Sequence, residues 1–169
     1  MEKVAHTIAA LPTDKKSLSK MEKRILTSKK IEVENDEILA MIDSGSFTHA
    51  INAAKNLPLH RVTPPGARER RRKAETACGG ILEIKGTVEL EAEVDGHTLG
   101  IKFHDMDVNT PILSVRRMVK DGYIIYVGED GGFIQHVQTG KKMHFFEHQG
   151  VYYMKLKIKD AAGFGRQGA

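Results

Sequence analysis

From Ile31 onward, short apolar stretches recur between charged ones at spacings that favour strands. Ile38, Leu39, Met41 and Ile42 make an apolar run that stops at Asp43, the profile of a buried strand. Residues 79–108 read almost wholly as strands, with Ile84, Val88, Leu90 and Val94 between charges and Asp95-Gly96 as a strong hairpin turn. Two further β segments cover 123–142 and 143–158, the first turning at Gly131-Gly132. PILSVRRMVKDG, residues 111–122, is the best short helix, with Pro111 near its start and Gly122 as its stop. Pro58, Pro64, Pro65 and Gly66 break 55–73 into loop. Leu18, Met21 and Ile25 follow helical spacing within residues 1–30, but they are too few to hold a helix alone, so a basic tail or linker is expected there. Residues 160–169 are expected to be a disordered tail. The class is mainly β, built on hairpins, with one or two helices.

Composition narrows this little. A chain of 169 residues buries one core and carries a tail more readily than it forms two domains. The 40% hydrophobic and 28% charged fractions suit a soluble globular protein. Net charge is +4 and the isoelectric point about 9.1, with the excess concentrated in residues 1–30 and in Arg68-Glu69-Arg70-Arg71-Arg72-Lys73. Neither stretch is interleaved with aromatics as a single-strand binding surface is. Arg68–Lys73 therefore reads first as a solvated loop, and nucleic acid is not the expected partner. The lone Cys78 excludes an internal disulfide framework and fits a reducing compartment. No apolar run reaches membrane-spanning length, and the opening MEKVAHTIAALP is too short and too polar for a secretory signal. A cytoplasmic protein without membrane attachment or cofactor is expected.

The chemistry concentrates at Asp43-Ser44-Gly45. A carboxylate at the end of a buried strand is costly unless it caps a turn or is held for reaction. Asp and Ser side chains do bond to nearby backbone amides, so the tripeptide is a good turn on its own. It also suits peptide hydrolysis: a carboxylate activates water, a hydroxyl steadies the loop, and glycine permits a tight turn and close approach of another chain.

The longer string Asp43-Ser44-Gly45-Ser46-Phe47-Thr48-His49 resembles the active-site loop of retropepsin-like aspartic proteases. More closely, it is similar to the Asp-Ser-Gly-Ala-(Ser/Thr)-x-His signature of proteases in copia-type retrotransposon polyproteins. TACGGILEIKG, residues 76–86, is similar to that family's flap hairpin and ends on a glycine, Gly86. Residues 105–135 look like its Leu-Ser-Val segment, helix and following hairpin, and 139–156 resemble its Gly-x-Tyr-x-Leu stretch. Two positions depart: Ser46 stands where the family has alanine, and Phe47 where it has a small hydroxyl residue. The resemblance spans 38–156. It implies a closed barrel of hairpins over 31–122 with one short C-terminal helix, and a β-hairpin extension over 123–159. It also implies an aspartic endopeptidase that processes a retroelement polyprotein. Asp43 would activate water, Ser44, Gly45 and Ser46 would shape the loop, and Cys78, Gly79 and Gly80 would form the flap tip over an extended peptide.

Only one Asp-Ser-Gly occurs; Asp95, Asp121 and Asp130 stand directly before glycines, in turn contexts. The second carboxylate would come from a second copy, which implies a homodimer with its site on the two-fold axis. HFFEH, His144–His148, matches an inverted zinc-peptidase pattern, but alternation and flanking glycines favour a strand, where the two histidines lie too far apart to share a metal. No metal site is expected. His49 reads as a side chain packed behind the loop, and Tyr123, Tyr126, Tyr152 and Tyr153 as sheet packing. The alternative to an enzyme is an inactive retroelement-derived domain that binds nucleic acid or a protein partner.

Overall fold

The computed structural model of the chain describes residues 31–76 and 79–159. The expected basic tail (1–30), Cys78 and the tail at 160–169 lie outside them.

The elements run β1 (Glu37–Asp43), β2 (Ala50–Ile51), α1 (Ala53–Asn56), α2 (Ala67–Arg70), β3 (Lys73–Glu75), β4 (Ile81–Glu83), β5 (Gly86–Val94) and β6 (His97–Asp105). They continue with β7 (Ile112–Ser114), α3 (Val115–Lys120), β8 (Tyr123–Val127), β9 (Gly131–His136), β10 (Lys142–His148) and β11 (Val151–Ile158). The fold is mainly β, as the pattern implied, and six strands close a barrel in the order β1-β7-β2-β6-β5-β11 before β11 returns to β1. Closure leaves no free edge in this part of the sheet. β3 and β4 form a separate two-stranded hairpin.

Side-chain alternation explains the closure. On β5, Val88, Leu90, Ala92 and Val94 point inward while Glu89 and Glu91 face solvent. Leu99, Ile101 and Phe103 of β6 do the same, and Phe103 is fully buried. These residues meet Ile38, Ala40, Leu113, Met154 and Leu156 in one core. Asp95 and Gly96 both take positive φ, 51° and 75°, the backbone that a two-residue hairpin of this hand requires.

Three readings shift. The stretch 111–122 is not one helix: Ile112–Ser114 is a strand, because Met41 and Ile42 of β1 offer it a parallel partner at Ile112 and Leu113. The helix begins only after Ser114, whose hydroxyl accepts from Arg117 N–H as the N-cap. The turn of the 123–142 hairpin falls at Gly128–Asp130, and Gly131 and Gly132 belong to β9. There a Cβ on Gly132 would stand 1.9 Å from the Tyr126 carbonyl oxygen and 2.7 Å from the Phe145 ring, so these glycines admit close packing of strands. The segment 123–159 also divides. β8, β9 and β10 leave the barrel as an extension, whereas β11 pairs with β1 from Glu37↔Lys157 to Met41↔Tyr153 and closes the barrel. HFFEH lies on β10, as a strand.

The loop between α1 and α2 is anchored where it meets the start of β5. Thr63 and Thr87 exchange both backbone hydrogen bonds, at 2.7 and 2.9 Å. Gly86 makes this contact possible: a Cβ there would lie 2.3 Å from the Thr63 carbonyl oxygen.

Candidate active site

Asp43 is the last residue of β1 and stands in register with Ser114, the last residue of β7. The chain must turn immediately after it. Gly45 N–H donates to Asp43 Oδ1 at 2.7 Å, and a Cβ on Gly45 would sit 3.3 Å from that oxygen. The aspartate thus caps its own turn, as its sequence allows, and remains half-buried with its carboxylate at a cleft.

Behind this turn the loop is fixed from three directions. Ser46 Oγ donates to the Thr48 carbonyl at 2.7 Å. The fully buried Ser114 donates its hydroxyl to the Ser46 carbonyl at 2.6 Å and its backbone N–H to His49 Nδ1 at 2.9 Å. An accepting Nδ1 carries no proton, so the neutral ring holds its hydrogen on Nε2. Burial against Phe103 is the main reason that the His49 pKa falls from 6.5 to about 4; Asp121 opposes the shift, and Arg117 and His104 add to it. Thr48, also buried, shares a 2.7 Å hydrogen bond with His104 Nδ1, whose Nε2 lies 3.6 Å from Glu69 Oε1 on α2. His104 is held below its ordinary pKa by burial, against the pull of Glu69.

The cleft beside Asp43 measures about 540 Å³. Asp43, Gly45 and Ser46 line one side, Ala74, Glu75, Thr76 and Leu82 of the β3–β4 hairpin line the other, and Met106, Val108 and Ile112 contribute apolar surface. Phe47 stands in this lining with 41% of its surface exposed. Apart from Asp43, the only charged side chain among the described lining residues is Glu75.

The hairpin opposite Asp43 has a tight tip. Thr76 N–H donates to the Gly80 carbonyl at 2.7 Å, Gly80 N–H to Thr76 Oγ1 at 2.9 Å, and Gly79 takes φ +78°. Of the residues singled out from sequence, the structure brings Asp43, Gly45 and Ser46 together around the cleft. Ser44, Gly79 and Gly80 are exposed and lie outside its lining, and Cys78 is not among the described residues. The hairpin residues that share the cleft with the aspartate are Ala74 and Glu75 of β3, Thr76 just after it, and Leu82 of β4. The period-two spacing of Ala74 and Thr76 could have indicated a shared face, but three residues of strand are too few for that pattern to stand out. Ser114, the main anchor of the loop, was legible only as part of a helix.

Compared with family models, curated proteins and solved structures, the chain matches none. Among the described residues, no helix is long and apolar enough to cross a membrane.

Proposed function

We propose that the chain is one subunit of a homodimeric aspartic endopeptidase that cleaves the polyprotein of a retroelement in the cytoplasm. The observation that carries this reading is the placement of Asp43: a strand-end carboxylate on a rigidly pinned turn, at an apolar cleft faced by a β-hairpin. That arrangement suits an extended peptide, whose backbone adds to strand-like edges while its side chains enter the cleft.

One carboxylate is half of the required machinery. A second copy related by a two-fold axis supplies the other, and two carboxylates a few ångström apart share one proton because both cannot ionise. The ionised partner takes a proton from water as the oxygen attacks the scissile carbonyl. The protonated partner donates to the carbonyl oxygen, and the pair then passes a proton to the departing amine. The chain's own contribution is position. Gly45 N–H fixes one carboxylate oxygen, and Ser114 and His49 fix the loop that carries it.

The test is cleavage of a polyprotein segment by the purified chain. Asp43→Asn, nearly isosteric, should lower turnover by at least about a thousandfold with an unchanged far-ultraviolet spectrum. Below the dimer dissociation constant, the wild-type rate should rise with the square of chain concentration and be blocked by pepstatin. Full activity in Asp43→Asn, or a rate linear in a monomeric chain, would overturn the reading. A folded chain inert at every concentration would leave an inactive binding domain.

A further inference from the structure

The segment before the β3–β4 hairpin has a charge distribution that the proteolytic reading does not use. Residues 61–73 hold six cations, Arg61, Arg68, Arg70, Arg71, Arg72 and Lys73, against Glu69 alone, a net +5. The rest of residues 31–169 carries twelve cations against eighteen carboxylates, a net −6. A generally basic surface therefore does not account for the strip; it stands against an acidic body.

The structure keeps these charges exposed. All six cations face solvent, and among the described residues none is in an ion pair. Glu69, the one acid in the segment, is engaged elsewhere: it accepts from Gly66 N–H at 3.1 Å and faces His104. The α2 turn continues through Arg72, whose N–H bonds to the Glu69 carbonyl at 3.0 Å. Four arginines thus rise along about 6 Å of helical axis. Crowded like charges repel one another, a cost that a polyanion would reverse.

We propose that this strip binds the phosphodiester backbone of a nucleic acid, without reading its bases. Two features select phosphate over other anions. Five of the six cations are arginine, whose planar fork pairs with phosphate oxygens bidentately. Their axial density, four in about 6 Å, also exceeds the one phosphate per about 3.4 Å of a single strand, so each phosphate passing the turn meets more than one guanidinium. The absence of aromatic residues among them removes base stacking, so affinity rests on charge alone. This inference does not depend on the proteolytic reading.

Fluorescence anisotropy on the full chain tests it, with a fluorescein-labelled 20-nucleotide single-stranded RNA of mixed sequence and a 20-base-pair DNA duplex between 50 and 200 mM NaCl. Micromolar binding to either is expected, weakening about a hundredfold for RNA across that range if five contacts form. Arg68→Gln/Arg71→Gln/Arg72→Gln should weaken binding at least tenfold at 50 mM and flatten the logarithmic salt slope for RNA by about 2. Lys15→Gln/Lys16→Gln/Lys20→Gln, in the other basic stretch, should retain most of the binding. Circular dichroism confirms that both variants fold. Salt-independent or absent binding, an unchanged dissociation constant in the arginine variant, or loss confined to the lysine variant would overturn the proposal. Displacement of RNA by polyglutamate at equal charge concentration would overturn the choice of phosphate.

Discussion

Protonation of His49 should destabilise the fold and release the Asp43 loop. In the native state the ring is buried, accepts the Ser114 N–H and titrates near 4; in the unfolded chain it returns to about 6.5. Between those values the unfolded state binds the proton and the native state does not. The contribution of His49 is therefore fully present above about 6.5, declines as pH falls through that window, and is exhausted below about 4. At 1.36 kcal/mol per pH unit, the gap between 6.5 and about 4 is worth about 3 kcal/mol. That is a large share of the 5–15 kcal/mol typical of a domain and would lower the melting temperature by about 10 °C. Burial and the loss of an acceptor dominate the cost. The Asp121 carboxylate, which opposes the shift, is already included in the native value. The assay is urea unfolding at pH 7.5 and 3.5 for the wild type and for His49→Gln, whose side-chain oxygen can still accept from Ser114. Carboxylates and His104 titrate in both proteins, so the difference between the two isolates His49. The wild type should lose about 3 kcal/mol more than the variant on acidification. Equal losses would show that His49 is not held neutral by its buried contact with Ser114.

Gly86→Ala should cost at least about 2 kcal/mol in urea unfolding, because its Cβ would lie 2.3 Å from the Thr63 carbonyl oxygen and must push that loop off the start of β5. Amide exchange at Thr63 and Thr87 should accelerate in the same variant; an unchanged midpoint would refute the close approach. Ending the chain at Gly122 should leave a species without a cooperative thermal transition. That cut removes β11 with its buried Met154, Leu156 and Ile158, worth about 2 kcal/mol each, and leaves β1 and β5 as open edges. A sharp transition in the truncated chain would show that residues 31–122 suffice.

What could be read from sequence was what is written locally. The alternation of Val88, Leu90, Ala92 and Val94 with glutamates states a strand half in and half out, and Asp95-Gly96 states its turn; both need only neighbours along the chain. Asp43 was legible for the same reason, since the apolar run before it and the glycine after it are local signs of a strand that ends in a tight turn. Ser114 was not. Its neighbours Val115–Lys120 carry a helical pattern, and nothing local tells the reader that Ile112 and Leu113 will instead be drawn into parallel pairing with a strand some seventy residues earlier. Gly131 and Gly132 misled in the same way, because glycine marks both turns and close strand contacts, and only the position of Phe145 decides between them.

The two kinds of residue meet at the site, and this bears on why it is built as it is. Asp43 sits where a parallel pair of strands ends side by side, so the residue beside it, Ser114, is imported from far along the chain. Ser114 makes three bonds: to the Ser46 carbonyl, to His49, and as the cap of α3. The loop that holds the aspartate is thereby tied to the helix and to the closed barrel as well as to itself. In the proposed dimer, a carboxylate that meets its symmetry mate within a few ångström could not rest on a flexible loop, because each subunit's positional error would add to the other's. The buried serine supplies that rigidity from the end of β7, in register with Asp43 itself.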